Sequence, residues 1–199
     1  MNIVFDLGGV VVKWQPDELI AQVFEDPTVR AKVRREIVDH EDWLALDRGS
    51  LALEDAVVRA ALRTSLSERE VTRFFNAVPA SLVATPETVN LMYRLKRGGH
   101  RLYCLSNMQA ASIAHLERTY DFWEVFEGAV ISSRIGLIKP EPAIYSHLLD
   151  HYQLVGSDTT FIDDIDANLI AAAAFGIRPL KFEHPAQCAA ALTQLGLIR

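Results

Sequence analysis

The feature that most constrains the fold is an alternation of short apolar runs and helical patterns from residue 83 to the end of the chain. Runs of this length are typical of buried strands. Five are present, over residues 3–5, 101–105, 129–131, 160–162 and 179–182. Strands that are separated by helices form parallel sheets through right-handed crossovers, with helices covering both faces. The sequence therefore predicts an α/β protein built on a parallel sheet.

Residues 15–82 have a different character, because no run among them predicts a strand. Helical patterns cover residues 17–24, 29–39, 53–63 and 68–76. The last of these begins with Ser67 and carries Glu70 three residues later, which is the pattern of a capping box. We predict an all-helical insertion over residues 15–82, within an α/β core formed by residues 1–14 and 83–199.

Composition and charge limit the partners of the chain. Of 199 residues, 50% are hydrophobic and 23% are charged, which is an ordinary globular balance. The net charge of −6 argues against nucleic acid or an anionic membrane as the main partner. Two cysteines give neither a disulfide framework nor metal-ligand spacing. Since an acidic residue interrupts the apolar N-terminus at Asp6, no signal peptide is predicted, and we expect a cytoplasmic protein.

Polar residues follow four successive predicted strands. The first strand leads into Asp6, the second into Ser106 and Asn107, the third into residues 136–141, which include Lys139, and the fourth into Asp163 and Asp164. Each cluster alone has a structural explanation as a turn, a helix cap or a solvated lysine. Open parallel sheets bind ligands outside the carboxyl ends of their strands, so four clusters in this order favour a common site.

The residue types in these clusters suit phosphoryl transfer. A carboxylate can attack phosphorus and form an aspartyl-phosphate, and Asp6 is the candidate nucleophile. Attack of one anion on another needs neutralising positive charge, which Mg²⁺ would supply. Asp6 and Asp164 would hold the metal ion if their strands are neighbours in the sheet. The Ser106 hydroxyl would hold phosphate oxygens, and Lys139 would keep Asp6 ionised. The glycine pair that follows Asp6, Gly8 and Gly9, lets the backbone approach the metal closely.

Together these motifs resemble the haloacid dehalogenase-like hydrolase superfamily, in the branch with a helical cap after the first strand. Within it the chain is most similar to small bacterial sugar-phosphate phosphatases, including alpha-glucose-1-phosphate phosphatases. That group shares the Asp-Leu-Gly start and a cap segment like residues 47–51. The resemblance implies a Rossmann-like α/β core with helices on both faces, a helical cap, and Mg²⁺-dependent hydrolysis of a small phosphorylated metabolite.

The resemblance also implies a role for each matched residue. The implied roles are Asp6 as nucleophile and metal ligand, the backbone carbonyl of Gly8 as second ligand, Asp164 as metal ligand, Asp163 as a further or water-mediated ligand, Ser106 and Asn107 as phosphate-binding residues, and Lys139 as the contact to phosphate and nucleophile.

One position departs from the family pattern. Most phosphatases of the superfamily carry a second aspartate two residues after the nucleophile, where it protonates the leaving oxygen; here that position is Gly8. Such an acid is typically worth about 10²- to 10⁴-fold in rate. Either the leaving group needs no strong acid, or the reaction is slow, or a cap residue replaces it. The candidate cap residues are His40, Glu41, Asp42 and Asp47.

Two other functions remain open. A 2-haloacid dehalogenase also uses an aspartate nucleophile without the second aspartate, but it needs no metal. Asp163 and Asp164 argue against that function, because a metal-free site for a carboxylate substrate should not place two carboxylates beside the nucleophile. A non-catalytic scaffold that binds a phosphorylated ligand or a protein is the other alternative, and the charged residues argue against it.

Overall fold

The computed structural model describes residues 1–198 and contains one five-stranded parallel sheet. The strand order is β3-β2-β1-β4-β5. The strands are β1 (Asn2–Phe5), β2 (Arg101–Ser106), β3 (Phe126–Ile131), β4 (Thr159–Asp163) and β5 (Arg178–Lys181). The central strand β1 is buried along its whole length, as a strand covered on both faces must be. The predicted fold class is confirmed.

Five helices lie between β1 and the rest of the core. They are α1 (Pro16–Val23), α2 (Pro27–Val33), α3 (Glu41–Arg48), α4 (Leu53–Thr64) and α5 (Glu68–Ser81), with a π-helical turn over Arg34–Val38 after α2. The capping box of Ser67 and Glu70 is present at the start of α5. The sequence predicted helices at the positions of α1, α2, α4 and α5 and left out α3. Helix α5 also continues five residues beyond its predicted end.

The helices of the insertion have an apolar core of their own. Buried side chains from α1, α2, α4 and α5, with Leu46 of α3, form one cluster that includes Leu19, Val33, Ala60 and Phe74. All its fully buried members fall within residues 19–78. From this separate core we infer that residues 15–82 form a cap on the rest of the chain.

Six further helices cover the sheet. They are α6 (Pro86–Arg97), α7 (Ala110–Thr119), α8 (Ser132–Ile135), α9 (Pro142–Tyr152), α10 (Asp166–Ala173) and α11 (Pro185–Gln194). Alternate side chains of β1 point to opposite faces, as they must in a strand. Ile3 and Phe5 pack with α6, α7 and α11, and Val4 packs with α9 and α10. Within residues 1–198, no helix is long and apolar enough to cross a bilayer.

The strand order places the candidate residues together. Strand β1 pairs with β2 on one side and with β4 on the other, and Phe5 lies opposite both Cys104 and Ile162. The residues that follow β1 and β4 therefore leave the same edge of the sheet side by side. The predicted metal site required that the strands leading to Asp6 and Asp164 be neighbours. They are neighbours in the structure.

Candidate active site

A buried lysine joins two buried carboxylates at the carboxyl edge of the sheet. Lys139 Nζ lies 2.9 Å from Asp6 Oδ1 and 2.7 Å from Asp163 Oδ2. Asp6 Oδ1 also accepts the backbone N–H of Leu7 at 2.7 Å. Among residues 1–198, no hydrogen bond reaches Asp6 Oδ2. One oxygen of Asp6 is therefore held in place and the other is free to react.

The charges of this cluster do not balance. Burial raises the pKa of Asp6 to about 7, although Lys139 lowers it, and the neighbouring Asp163 and Asp164 raise it further. Burial acts in the opposite direction on Lys139, but Asp6 and Asp163 outweigh it and raise the pKa of the lysine. Lys139 therefore stays charged, and three carboxylates face one ammonium group.

A divalent cation fits this excess of negative charge. Oxygen atoms of Asp6, Asp163 and Asp164 all lie within 4.8 Å of one another. Asp164 Oδ1 is buried and has no hydrogen-bond partner within the described residues. Burial and Asp163 raise the pKa of Asp164, although Lys139 and Lys181 act to lower it. Carboxylate oxygens are the ligands that Mg²⁺ prefers in proteins.

Asp163 accepts more hydrogen bonds than Asp6 or Asp164. Besides Lys139, it accepts the backbone N–H of Ile165 at 2.7 Å and the side-chain amide of Asn168 at 3.0 Å. Both of its oxygens are thus occupied. The sequence analysis gave Asn168 no role. It lies in the first turn of α10, and its buried side-chain amide orients the carboxylate of Asp163 at the end of β4.

Ser106 is the last residue of β2 and Asn107 follows it. The side chains of these two residues have different environments. Ser106 Oγ is buried and has no partner within residues 1–198, so it is available to a ligand. The Asn107 side chain instead binds the backbone of Lys139 at both its polar atoms, donating to the carbonyl at 2.9 Å and accepting the N–H at 2.8 Å. Asn107 therefore holds the segment that carries the lysine.

The two glycines after Asp6 differ in what they allow. Gly9 has φ +77°, and a Cβ there would lie 2.2 Å from Asp164 Oδ2. Only glycine lets the backbone pass this carboxylate. A Cβ at Gly8 would meet nothing nearer than Trp14 Cβ at 3.9 Å. The absence of a side chain at Gly8 is therefore not required by packing.

A cavity of about 80 Å³ lies between the cap and the core beside these residues. Gly8, Asn107 and Gln109 contribute from the core. Its apolar wall consists of Trp14, Trp43, Val78, Leu82 and Met108, and Asp47 and Ser112 complete the lining. The rings of Trp14 and Trp43 stack at 5.4 Å across the boundary.

The end of α3 is fastened to the core next to this cavity. Ser132 Oγ donates a short hydrogen bond to the backbone carbonyl of Asp47 and accepts the N–H of Met108 at 2.9 Å. Arg48 and Glu141 form a two-pronged ion pair, with one of its contacts at 2.9 Å.

Close backbone packing completes this attachment. Gly49 has φ +77°, and a Cβ there would lie 2.6 Å from the carbonyl oxygen of Ser133. Glycine is therefore required where the chain leaves α3. The C-terminal end of α3 is held at a defined position over the carboxyl edge of the sheet.

Known proteins are similar to this chain in sequence and in architecture. The family model of the haloacid dehalogenase-like hydrolases matches residues 1–176. The sesquiterpene phosphatase astK of Aspergillus oryzae is 28% identical over 174 residues, which cover 87% of this chain and 85% of that protein.

Solved structures agree on the fold. A predicted HAD-like family hydrolase from Porphyromonas gingivalis superposes with a TM-score of 0.75 at 22% identity, covering 98% of this chain and 96% of the other. A HAD family enzyme from Bacteroides thetaiotaomicron, solved with magnesium and inorganic phosphate, gives a TM-score of 0.69 at 19% identity, over 92% and 93% of the two chains. With the match over most of its length and the same architecture, the chain belongs to the haloacid dehalogenase-like hydrolases.

Proposed function

We propose that the chain is a Mg²⁺-dependent phosphatase that hydrolyses phosphate monoesters through an aspartyl-phosphate on Asp6. The observation that carries this proposal is the charge of the site, where three carboxylates lie close together and a single buried lysine pairs with two of them. An anionic substrate could not approach such a cluster without a cation. A metal-dependent reaction of a phosphate ester accounts for both the carboxylates and the lysine.

The proposed metal ligands follow from which oxygens are free. Asp6 and Asp164 would hold Mg²⁺ directly, with the backbone carbonyl of Gly8, as the sequence analysis predicts. Because hydrogen bonds occupy both oxygens of Asp163, it would act through water and keep Lys139 in place. When bound, Mg²⁺ supplies positive charge that offsets the charge on the phosphate oxygens.

The residues of the chain divide the chemistry between them. Asp6 Oδ2 attacks phosphorus, and the bond from phosphorus to the ester oxygen breaks. Lys139 stabilises the charge on the transferring group from its position 2.9 Å from Asp6 Oδ1. Ser106 Oγ, which has no partner in residues 1–198, binds a phosphate oxygen. Water then cleaves the aspartyl-phosphate and releases inorganic phosphate.

The lining of the cavity bears on the leaving group. The sequence analysis predicts a sugar phosphate, which stays a prediction. The apolar wall formed by Trp14, Trp43, Val78, Leu82 and Met108 favours a leaving group with an apolar body, because burial of apolar surface contributes about 25 cal/mol per Å². The similarity to a sesquiterpene phosphatase supports the same class. We therefore propose a phosphate monoester with an apolar leaving group as the preferred substrate.

The experiment measures phosphate release from sugar 1-phosphates, simple alkyl phosphates and prenyl monophosphates, with Mg²⁺ and with EDTA. Asp6→Asn keeps the shape of the side chain and removes the nucleophile, so we expect no release. Asp150→Asn, at an exposed position on α9, is the matched control and should retain the wild-type rate. Faster release from the prenyl substrates would identify the leaving-group class, and faster release from sugar phosphates would favour the earlier prediction.

Two outcomes would overturn the phosphatase proposal. Halide release from 2-haloacids without metal, and no phosphate release, would identify a dehalogenase. Tight Mg²⁺-dependent binding of inorganic phosphate without turnover of any substrate would identify a binding scaffold.

A further inference from the structure

The site as described lacks a group to protonate the leaving oxygen, and this question deepens the function proposed above. Gly8 stands where most phosphatases of the superfamily have the acid, and packing leaves room for a side chain there. Four cap residues could replace it on sequence grounds. Their environments in the structure separate them.

Three of the four cap residues are accounted for by other contacts or by exposure. Glu41 is exposed on the surface of the cap. His40 caps α3, with Nδ1 accepting the backbone N–H of Asp42 at 3.1 Å. Asp42 pairs with Arg63 at 2.6 Å and with Arg59 at 3.3 Å, which fixes its charge. None of these three lines the cavity that contains Gly8.

Asp47 differs from them in its position and its partners. It is buried, it lines the same cavity as Gly8, and its carboxylate forms no ion pair with any residue from 1 to 198. The side-chain amide of Gln109 acts on it as a hydrogen-bond donor, without a compensating charge. A buried carboxylate without a paired charge is costly and often marks a functional site. The contacts of Ser132, Arg48 and Gly49 described above hold its backbone at the cavity wall. The carboxyl group is thus positioned and has no paired charge.

The charges around Asp47 suit proton transfer. Burial raises the pKa of Asp47 to about 7, with Asp6 raising it and Lys139 and the amide of Gln109 lowering it. A general acid or base works best when its pKa lies near the operating pH. At neutral pH this carboxyl group can therefore both give and accept a proton.

We propose that Asp47 is the acid and base of the reaction and takes over the role that the residue at position 8 has in related phosphatases. In the first step the bond between Asp6 Oδ2 and phosphorus forms, the ester P–O bond breaks, and the ester oxygen takes the proton of Asp47. In the second step water bonds to phosphorus, Asp6 leaves with the electron pair of its P–O bond, and Asp47 accepts the proton of the water. Protons and charges balance over the cycle.

The test uses the dependence on the leaving group, because an acid matters only when the leaving oxygen is a poor one. With Mg²⁺ and enzyme in excess, Asp47→Asn should slow release of the alcohol from an alkyl phosphate by about 10²- to 10⁴-fold. Release of p-nitrophenol from its phosphate should change far less, because that oxygen leaves without a proton. Glu41→Gln, on the exposed side of the same helix, should match the wild type on both substrates.

Two further measurements separate proton transfer from damage to the fold. The aspartyl-phosphate should accumulate in Asp47→Asn with p-nitrophenyl phosphate, and the intact mass of the quenched protein reports it. The midpoint of urea unfolding in EDTA should equal or exceed that of the wild type, because a neutral amide replaces a buried carboxyl that has no paired charge. Adding Gly8→Asp to this variant should restore alcohol release, since a Cβ at Gly8 has room.

Results that would contradict the role of Asp47 can be told apart from results that would contradict the phosphatase proposal. An equal loss on both substrates, or an unchanged rate with the alkyl phosphate, would overturn the role of Asp47 while phosphate release by the wild type stands. If the wild type releases no phosphate from any substrate, the function proposed for the site fails first.

Discussion

Removing the positive charge of Lys139 should cost far more stability than removing a surface lysine. The side chains of Lys139, Asp6 and Asp163 are 1%, 8% and 0% exposed, so Lys139→Met leaves two buried carboxylates without a compensating charge. Breaking a buried ion pair typically costs about 3–5 kcal/mol, because the remaining charge is uncompensated. The matched control is Lys96→Met, whose ion pair with Glu127 is more than a third exposed and should contribute no more than about 1 kcal/mol.

The assay is equilibrium unfolding in urea with EDTA present. With a slope of about 2 kcal/mol per molar urea, a loss of about 4 kcal/mol lowers the unfolding midpoint by roughly 2 M. Lys96→Met should lower it by less than about 0.5 M. Mg²⁺ should stabilise Lys139→Met more than it stabilises the wild type, because the excess negative charge at the site increases by one. Equal midpoints for the two lysine variants would refute the argument that Lys139 compensates the buried carboxylates.

Two further predictions concern the metal site and the cap. Gly9→Ala should weaken Mg²⁺ binding by at least about tenfold in calorimetric titration, because its Cβ would lie 2.2 Å from Asp164 Oδ2. The control is Gly99→Ala, because Gly99 also has a positive φ but no atom lies close to its Cβ position. This variant should bind Mg²⁺ normally. Burial opposes the effect of Arg63 on Asp42, but the arginine prevails and holds the pKa of Asp42 below its usual value of 3.8. Its stabilising contribution is therefore present above that pH and is lost as the pH falls further, so acid unfolding followed by circular dichroism should be shallower for Asp42→Asn. An acid-unfolding curve of Asp42→Asn that matches the wild-type curve would contradict the stabilising role of the Asp42 carboxylate.

Local patterns were enough to find the strands where both faces of the sheet are covered. Strand β1 is buried throughout, so its residues are apolar without interruption and the polar Asp6 marks its end. The edge strand β3 is less buried at its start, and the structure begins it at Phe126, three residues before the predicted position. An apolar run signals burial rather than hydrogen bonding, and the exposed end of an edge strand gives no such signal.

Helix α3 shows the limit of the same reasoning inside the cap. Only Leu46 among its apolar residues is fully buried, while Asp42 and Asp47 are buried as well. Its buried face is thus largely polar and has no apolar period to detect. What buries Asp47 is the contact of α3 with the core, including the hydrogen bond from Ser132, 85 positions further along the chain.

The sequence by itself determined the parallel α/β architecture, the helical insertion and the order of the polar residues after the strands. These depend on periodicity and on residue type at strand ends, which are local properties. Only the tertiary structure decided that Asp6, Lys139 and Asp163 form one buried charge network, that Asn107 holds the lysine segment, and that Asp47 lines the same cavity as Gly8. Burial and desolvation are set by residues far apart in the chain, and they change the chemistry of a carboxyl group that looks ordinary in the sequence.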